Sequence, residues 1–244
     1  MNGGFAQIWV YLAASPLLGL TLTLIAYQLS YLLYRKSGKN PLVNPVLLSV
    51  VMIGALLVVT NTSYAVYFDG AKFVHFLLGP ATVALAVPLH QHFARLKAAW
   101  PALLVGLLAG ATVAMASAVL IGSAMHASLQ TVISMAPKSV TTPIAMGISQ
   151  KLGGLPSLTA VLVISTGILG AIMARPVLVG LMHIKEDWIR GFATGIAAHG
   201  IGAARAFQVS EECGAFAGLA MGLNGVATAL LAPVIVPAML GWLN

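Results

Sequence analysis

The chain has 244 residues, 59% of them hydrophobic and 7% charged, with a mean hydropathy of +0.97 and a net charge of +7. A soluble domain carries about 25% charge, so the composition argues against a soluble fold and for an all-α polytopic membrane protein. A spanning helix takes about 20 residues, which leaves room for about seven to eight transmembrane elements in a single transmembrane domain covering the whole chain. The positive balance is no nucleic-acid footprint, because the basic residues fall mostly in short loops, where they set topology. Cys213 is the sole cysteine, so neither an intrachain disulfide nor a thiolate metal cluster is expected.

The first apolar segment, about residues 8–34, has no basic leader and is too long for a signal-peptide core. It is expected to be a retained span with a bend at Ser15-Pro16. Arg35, Lys36 and Lys39 follow, which makes this loop cytoplasmic and the N-terminus external by the positive-inside rule. The second span is expected over residues 45–64, with an external loop at Phe68-Asp69-Gly70. The third covers residues 72–93 and contains Gly79-Pro80 and Pro88. The loop from His90 to Lys97 is again basic. A fourth span covers residues 101–124, and a fifth segment residues 128–150. A sixth span runs from residue 157 to 174, with apolar character continuing to Met182. The loop His183–Arg190 is the most charged. A glycine-rich seventh segment covers residues 191–207, and the last runs from Glu211 to Trp242.

The fifth segment holds Ala136-Pro137-Lys138-Ser139-Val140-Thr141-Thr142-Pro143, with one cation, three hydroxyls and two prolines in eight residues. Proline lacks the N–H that bonds the carbonyl four residues earlier. Pro137 and Pro143 therefore strip the carbonyls of Ile133 and Ser139 of helical partners, and lipid cannot replace them. The segment is expected to be broken or re-entrant. If it is re-entrant, the His183–Arg190 loop and the C-terminus fall on the cytoplasmic side. If it crosses, that loop falls outside. Pro80-Ala81-Thr82-Val83 echoes Pro137-Lys138-Ser139-Val140 57 residues earlier, each followed by a second proline, at Pro88 and Pro143. Paired broken segments mark binding sites in repeat-built transporters.

Lys138 and Arg205 are the charges within apolar segments, whereas all five acids lie at loops or segment starts. Such an inventory suits an anion as the partner of Lys138. The competing reading is a lysine that snorkels or meets a helix C-terminus. Ser139, Thr141 and Thr142 can donate to a carboxylate, or instead bond back to the preceding turn. A second constellation is His199-Gly200-Ile201-Gly202 with Arg205. The glycines permit a break, His199 can bond substrate or carry a proton, and Arg205 can instead pair with Glu211 or Glu212. Asn224 can bond between helices or to a ligand. Thr82 and His199 are expected to face the Lys138 stretch. No phosphate loop or zinc motif is present, so neither an enzyme, a metal nor a cofactor is expected.

Residues 135–146, Met-Ala-Pro-Lys-Ser-Val-Thr-Thr-Pro-Ile-Ala-Met, resemble the signature of the LrgB/CidB family. Gly153-Gly154-Leu155-Pro156, Thr166-Gly167-Ile168-Leu169-Gly170, the stretch from Gly191 to Ala206, Gly214-Ala215-Phe216 and residues 219–225 extend the likeness. Asn44-Pro45 and residues 78–89 resemble the family's N-terminal half, while the lengthened N-terminus departs from it.

The resemblance implies two functional readings. Bacterial members are described as antiholin-like regulators of murein hydrolase export and autolysis, acting beside a small LrgA/CidA-type membrane partner. The plastid relative resembles a glycolate/glycerate translocator, and some bacterial pairs look like pyruvate carriers. The family's grouping with broken-helix transporters implies an inverted repeat. The expected function is therefore a carrier of small monocarboxylates in the bacterial cytoplasmic membrane, with antiholin-like regulation as the alternative. A homodimer is a further expectation.

Overall fold

The computed structural model describes residues 16–38, 40, 43–77, 80, 83–84 and 86–243. The chain divides into two compact units, Met1–Ala84 and Leu85–Asn244. All regular elements among the described residues are helical.

In the first unit, α1 (Pro16–Lys36) packs against α2 (Pro45–Val59) and α3 (Tyr64–Phe76). Asn44 caps α2, its Oδ1 accepting from the amides of Val46 and Leu47 at 2.9 and 3.2 Å. This is the usual N-cap role of asparagine, here followed by proline at the first helical position. Gly19 lies against the α3 backbone at Tyr67–Ala71, and the hydroxyls of Thr23 and Tyr67 are 2.7 Å apart. The expected loop at Phe68-Asp69-Gly70 is corrected: these residues lie inside α3, where Asp69 pairs with Lys72 about one turn on and Gly70 seats against Gly19. Pro80 is exposed. Thr82, Lys39 and the N-terminal residues whose external placement was expected lie outside the described residues.

The second unit comprises α4 (Ala86–Gln91), which contains Pro88, α5 (Phe93–Ala124), α6 (Leu129–Met135), α7 (Thr142–Leu152), α8 (Pro156–Ala174), α9 (Asp187–Phe207) and α10 (Glu211–Leu243). A π-helical turn, Arg175–Leu181, extends α8. Four helical stretches, Leu17–Lys36, Phe93–Ala124, Pro156–Leu181 and Glu211–Trp242, are long and apolar enough to cross a membrane, and α2 is a shorter apolar helix. Val105, Val161, Val226 and Leu230 are exposed on these helices, as lipid-facing side chains are.

α5 and α10 run parallel and side by side. Arg95 donates to Glu212 at 2.8 Å where both helices begin. Leu103, Leu107 and Ala111 pack with Phe216, Ala220 and Ala227, and further along Met115 and Val119 pack with Ala232 and Val236. Against this pair the fifth segment is a re-entrant hairpin. α6 starts at the far end, and Ser139 reaches the level of Asn224. α7 then runs back past Gly225, Ala229 and Pro233, and Leu155 N donates to Ser134 Oγ at 2.7 Å. Ser134, Ser149 and Thr159 are buried and close the open end: Thr159 Oγ1 lies 2.7 Å from Ser149 Oγ and 3.1 Å from the Ser134 carbonyl.

The seventh segment also folds back, from the opposite end. His199 interrupts α9 with φ 40° and ψ −134°. Beyond it, a Cβ on Gly202 would sit 2.8 Å from the carbonyl of Thr194, although residues eight apart in a straight helix are separated by about 12 Å. Residues 187–198 and 200–207 are therefore two arms, and both lie on α10. Phe192 and Ile196 pack with Phe216 and Ala220, and Ala203 and Ala206 with Cys213 and Ala217.

Close packing of the first arm depends on Gly191 and Gly195, spaced four apart, where a Cβ would overlap the carbonyls of Cys213 and Ala217. Small residues at this spacing let helix backbones approach. Because the obstructing atoms are backbone, Gly195→Ala should lower stability by about 1–3 kcal/mol, read as a lower Tm in detergent. Gly147, in the interior of α7 with nothing within 4 Å of its added Cβ, is the control, and Gly147→Ala should be neutral or stabilise by up to about 1 kcal/mol.

Candidate functional site

The tip of the first hairpin is built around its two prolines. The Ile133 carbonyl, which Pro137 cannot serve, accepts instead from Ala136 N at 3.3 Å. The chain tightens through Lys138 N to Met135 O at 3.2 Å and Val140 N to Pro137 O at 3.3 Å. The Ser139 carbonyl, which Pro143 cannot serve, accepts from Asn224 Nδ2 at 3.2 Å. The backbone groups singled out in the sequence are thus satisfied within protein, as burial away from water requires.

The second hairpin meets the same side chain. Asn224 Nδ2 also donates to the Ile196 carbonyl at 3.1 Å, one turn before the bend at His199. A carboxamide nitrogen carries two hydrogens, and both are committed to backbone. Thr228 Oγ1 donates to Asn224 Oδ1 at 3.4 Å. Asn224 is 1% exposed. His199 is also buried, and its Nε2 lies 3.0 Å from the Val163 carbonyl, so Nε2 holds the proton. Gly167 leaves room for the ring: a Cβ there would lie 2.7 Å from His199 Cε1. The expected break at Gly200 and Gly202 falls one residue earlier, at His199. Gly200 is half-buried, and buried Gly202 presses against Thr194.

A cavity of about 630 Å3 lies beside the joined tips. It is walled by α5 at Gly106, Gly110 and Ala114, by α8 at Thr166 and Met173, by the first arm of α9, and by Lys138 and Ser139. Among the described residues, Lys138, Ser139 and Thr166 are its polar side chains, and no carboxylate lines it. Lys138 Nζ donates to the Ala114 carbonyl at 3.2 Å, which satisfies one ammonium hydrogen of three. From Lys138 the cavity extends along the bundle toward the end where Arg95 and Glu212 meet.

The other sequence-predicted residues are distributed around this centre. Ser139 is buried on the cavity wall. Thr141 and Thr142, half-buried, start α7 away from that wall, with Thr141 at its N-cap, and Pro143 is exposed. His199 faces α8, and Asn224 is held by backbone carbonyls. Arg205 donates to Gln208 Oε1 at 2.8 Å and lines a different, smaller pocket. Thr166 is not among the sequence-predicted site residues; it opens the family-like stretch Thr166–Gly170, but as one of four hydroxyl residues in α8 nothing local singles it out.

Removing the carboxamide strands two buried carbonyls, each costing about 1–3 kcal/mol. Asn224→Leu should therefore lower stability by at least about 2 kcal/mol, seen as a large loss of Tm in detergent. Thr228→Val, which removes only the long bond to Oδ1, should cost well under half of that.

A model of the LrgB-like family matches residues 23–238. An uncharacterized protein, YwbG of Bacillus subtilis (strain 168), is 32% identical over 223 residues, covering 91% of this chain and 98% of that protein. The antiholin-like protein LrgB of Bacillus mycoides (strain KBAB4) is 30% identical over 227 residues, covering 91% and 96%. The uncharacterized protein YxaC of Bacillus subtilis (strain 168) is 33% identical over 215 residues, covering 88% and 93%. No solved structure matches. The likeness spans almost the full length of the chain and of these relatives, and includes both hairpins: the chain belongs to the LrgB-like family.

Proposed function

We propose that the chain is a carrier for small monocarboxylates of the glycolate, glycerate or pyruvate kind, working by alternating access in the bacterial cytoplasmic membrane. One observation carries the reading: Lys138, at the tip of a re-entrant hairpin, lines a cavity that holds no carboxylate among the described residues, with one backbone carbonyl among them as its neutral partner. Lys138 is half-buried; a cation partly withdrawn from water gains from a counter-charge, and a bound carboxylate supplies it. Ser139 and Thr166 then donate to the substrate's remaining oxygens. Thr141, Thr142 and His199 serve the same ligand only in a conformer that turns α7 and the second tip toward the cavity.

Hairpins entering from opposite ends support an inverted repeat, pairing α5 and the first hairpin with α8 and the second. That pairing differs from the echo between Pro80 and Pro137. Arg95, Lys97, Arg175, Lys185, Arg190 and Arg205 belong to the end where α5 and α10 begin, against Lys151 at the other, so this end is assigned to the cytoplasm. Because the seventh segment returns to its own side, α10 then carries the C-terminus outward, opposite to its assignment from a re-entrant fifth segment alone. A reporter fused after Asn244 should be active only when externally exposed.

The second reading, antiholin-like regulation of murein hydrolases without a specific substrate, is favoured by relatives that are named antiholin-like, such as the Bacillus mycoides protein. Proteoliposomes with and without an LrgA/CidA-type partner separate the two. Saturable uptake of labelled glycolate, glycerate or pyruvate is expected, and Lys138→Ala should reduce it at least tenfold while Lys138→Arg retains part. Saturable uptake unchanged in Lys138→Ala removes Lys138 from the site. An absence of saturable anion flux under every gradient supports regulation instead.

A further inference from the structure

The Lys138 cavity is larger and more one-sided than glycolate or pyruvate requires. Its volume of about 630 Å3 falls within the roughly 300–1,000 Å3 of pockets that enclose drug-sized ligands. Its polar side chains gather at the joined tips: Lys138 and Ser139 belong to the first tip, and Thr166 precedes Gly167, which abuts the His199 ring at the second. Lys138 meets α5 at Ala114. Gly106 lines the same cavity eight residues earlier on that helix, about 12 Å away along its axis. On α8 the wall runs from Thr166 through Leu169 to Met173, and Ala193 continues it on the first arm of α9. Beyond the tips, none of the described lining side chains carries a hydroxyl, an amide or a charge. Gly106 keeps the far end open, because a Cβ there would meet only Phe192, at 3.9 Å.

A carboxylate held at the tips leaves the rest of the ligand to lie along these walls. An aliphatic tail there gains in proportion to the apolar area it removes from water. A hydroxyl or a second carboxylate finds no side-chain partner on the same walls and loses hydration. We propose that the cavity selects monocarboxylates with an aliphatic tail, α-keto acids longer than pyruvate among them, over glycolate and glycerate. The inference rests on the carrier reading of the Lys138 site and narrows its substrate class. Lys138, Ser139 and Thr166 hold the head of the ligand, while Gly106, Leu169 and Met173 determine the tail it accepts. A methionine suits that position, because its flexible thioether adapts to tails of different shape.

Competition against labelled pyruvate uptake into proteoliposomes tests this, with unlabelled α-ketobutyrate, α-ketovalerate and α-ketocaproate as competitors. The head is constant across the series and the tail grows by one methylene at each step. The concentration for half-inhibition should fall about threefold per methylene. α-Ketoglutarate, which puts a second carboxylate on a tail of similar length, should compete no better than unlabelled pyruvate, and the neutral amide of α-ketocaproate should not compete. Gly106→Leu, which fills the far end, and Met173→Asn, which makes that wall polar, should each remove most of the gain from α-ketobutyrate to α-ketocaproate. The two variants lie on different helices, so a folding defect in one leaves the other to decide. Equal potency across the series in a chain that takes up pyruvate saturably, a gain untouched by both variants, or competition by the amide would each overturn the proposal and leave the carrier reading standing. Saturable uptake of neither labelled pyruvate nor labelled α-ketocaproate removes the carrier reading, and the proposal with it.

Discussion

The second unit depends on one carboxamide. A helix that stops inside a bilayer leaves carbonyls that lipid cannot satisfy, and this chain stops two helices there, at Ser139 and near Ile196. Asn224 serves both with the two hydrogens of a single nitrogen, 3.2 and 3.1 Å from the respective oxygens. The position is suited to the task because α10 is a long, continuous helix that both hairpins pack against. A charged residue there would bring a large desolvation cost, and a hydroxyl would have one donor for two acceptors. The neutral amide is the group that closes both breaks without adding charge beside Lys138.

The residues at the two breaks explain how much could be read from sequence. At the first, Pro137 and Pro143 each delete a specific amide, so the stranded carbonyls of Ile133 and Ser139 follow from chemistry alone, and the re-entrant alternative is the one the structure adopts. At the second, no proline marks the bend. It is made by His199 in a backbone conformation unusual for a residue with a side chain, stabilised by the Val163 carbonyl and the space left at Gly167. Glycines at 200 and 202 signalled irregularity, but a complete reversal requires tertiary contacts with α10 that no local pattern encodes. The same limitation applies to Asp69 and Gly70, where polar, flexible residues suggested a loop. Packing against Gly19 and pairing with Lys72 make the segment helical instead. Of the candidate site, Lys138 and Ser139 were legible as polar groups in an apolar run, while Thr166 becomes visible only once α8 is set against the first tip.

The distribution of charge separates two tasks. Within the hairpin region, a single cation faces a cavity whose other polar groups are neutral hydroxyls. At the end where α5 and α10 start, arginines are numerous and acids tie elements together, Glu212 to Arg95 and Asp187 to Ser210, while Asp187 also pairs with Arg190 inside α9. An ion pair at such a surface contributes little stability by itself, but it fixes which helices begin at the same level. That register places Asn224 opposite both tips.

The location of Asn224 in the final helix also sets an order of biosynthesis. The donor that completes the first hairpin lies 85 residues later in the chain. At about 5–20 residues per second, roughly 4–17 s separate the synthesis of Ser139 from that of Asn224. During that interval the arms of the first hairpin, 7 and 11 residues long, are too short to span a membrane. The nascent hairpin must wait in the insertion machinery, or at the water interface, until α10 arrives. A ribosome that stalls between the two positions leaves an unfinished chain with an open polar backbone at the bilayer, the kind of product that membrane quality-control proteases remove.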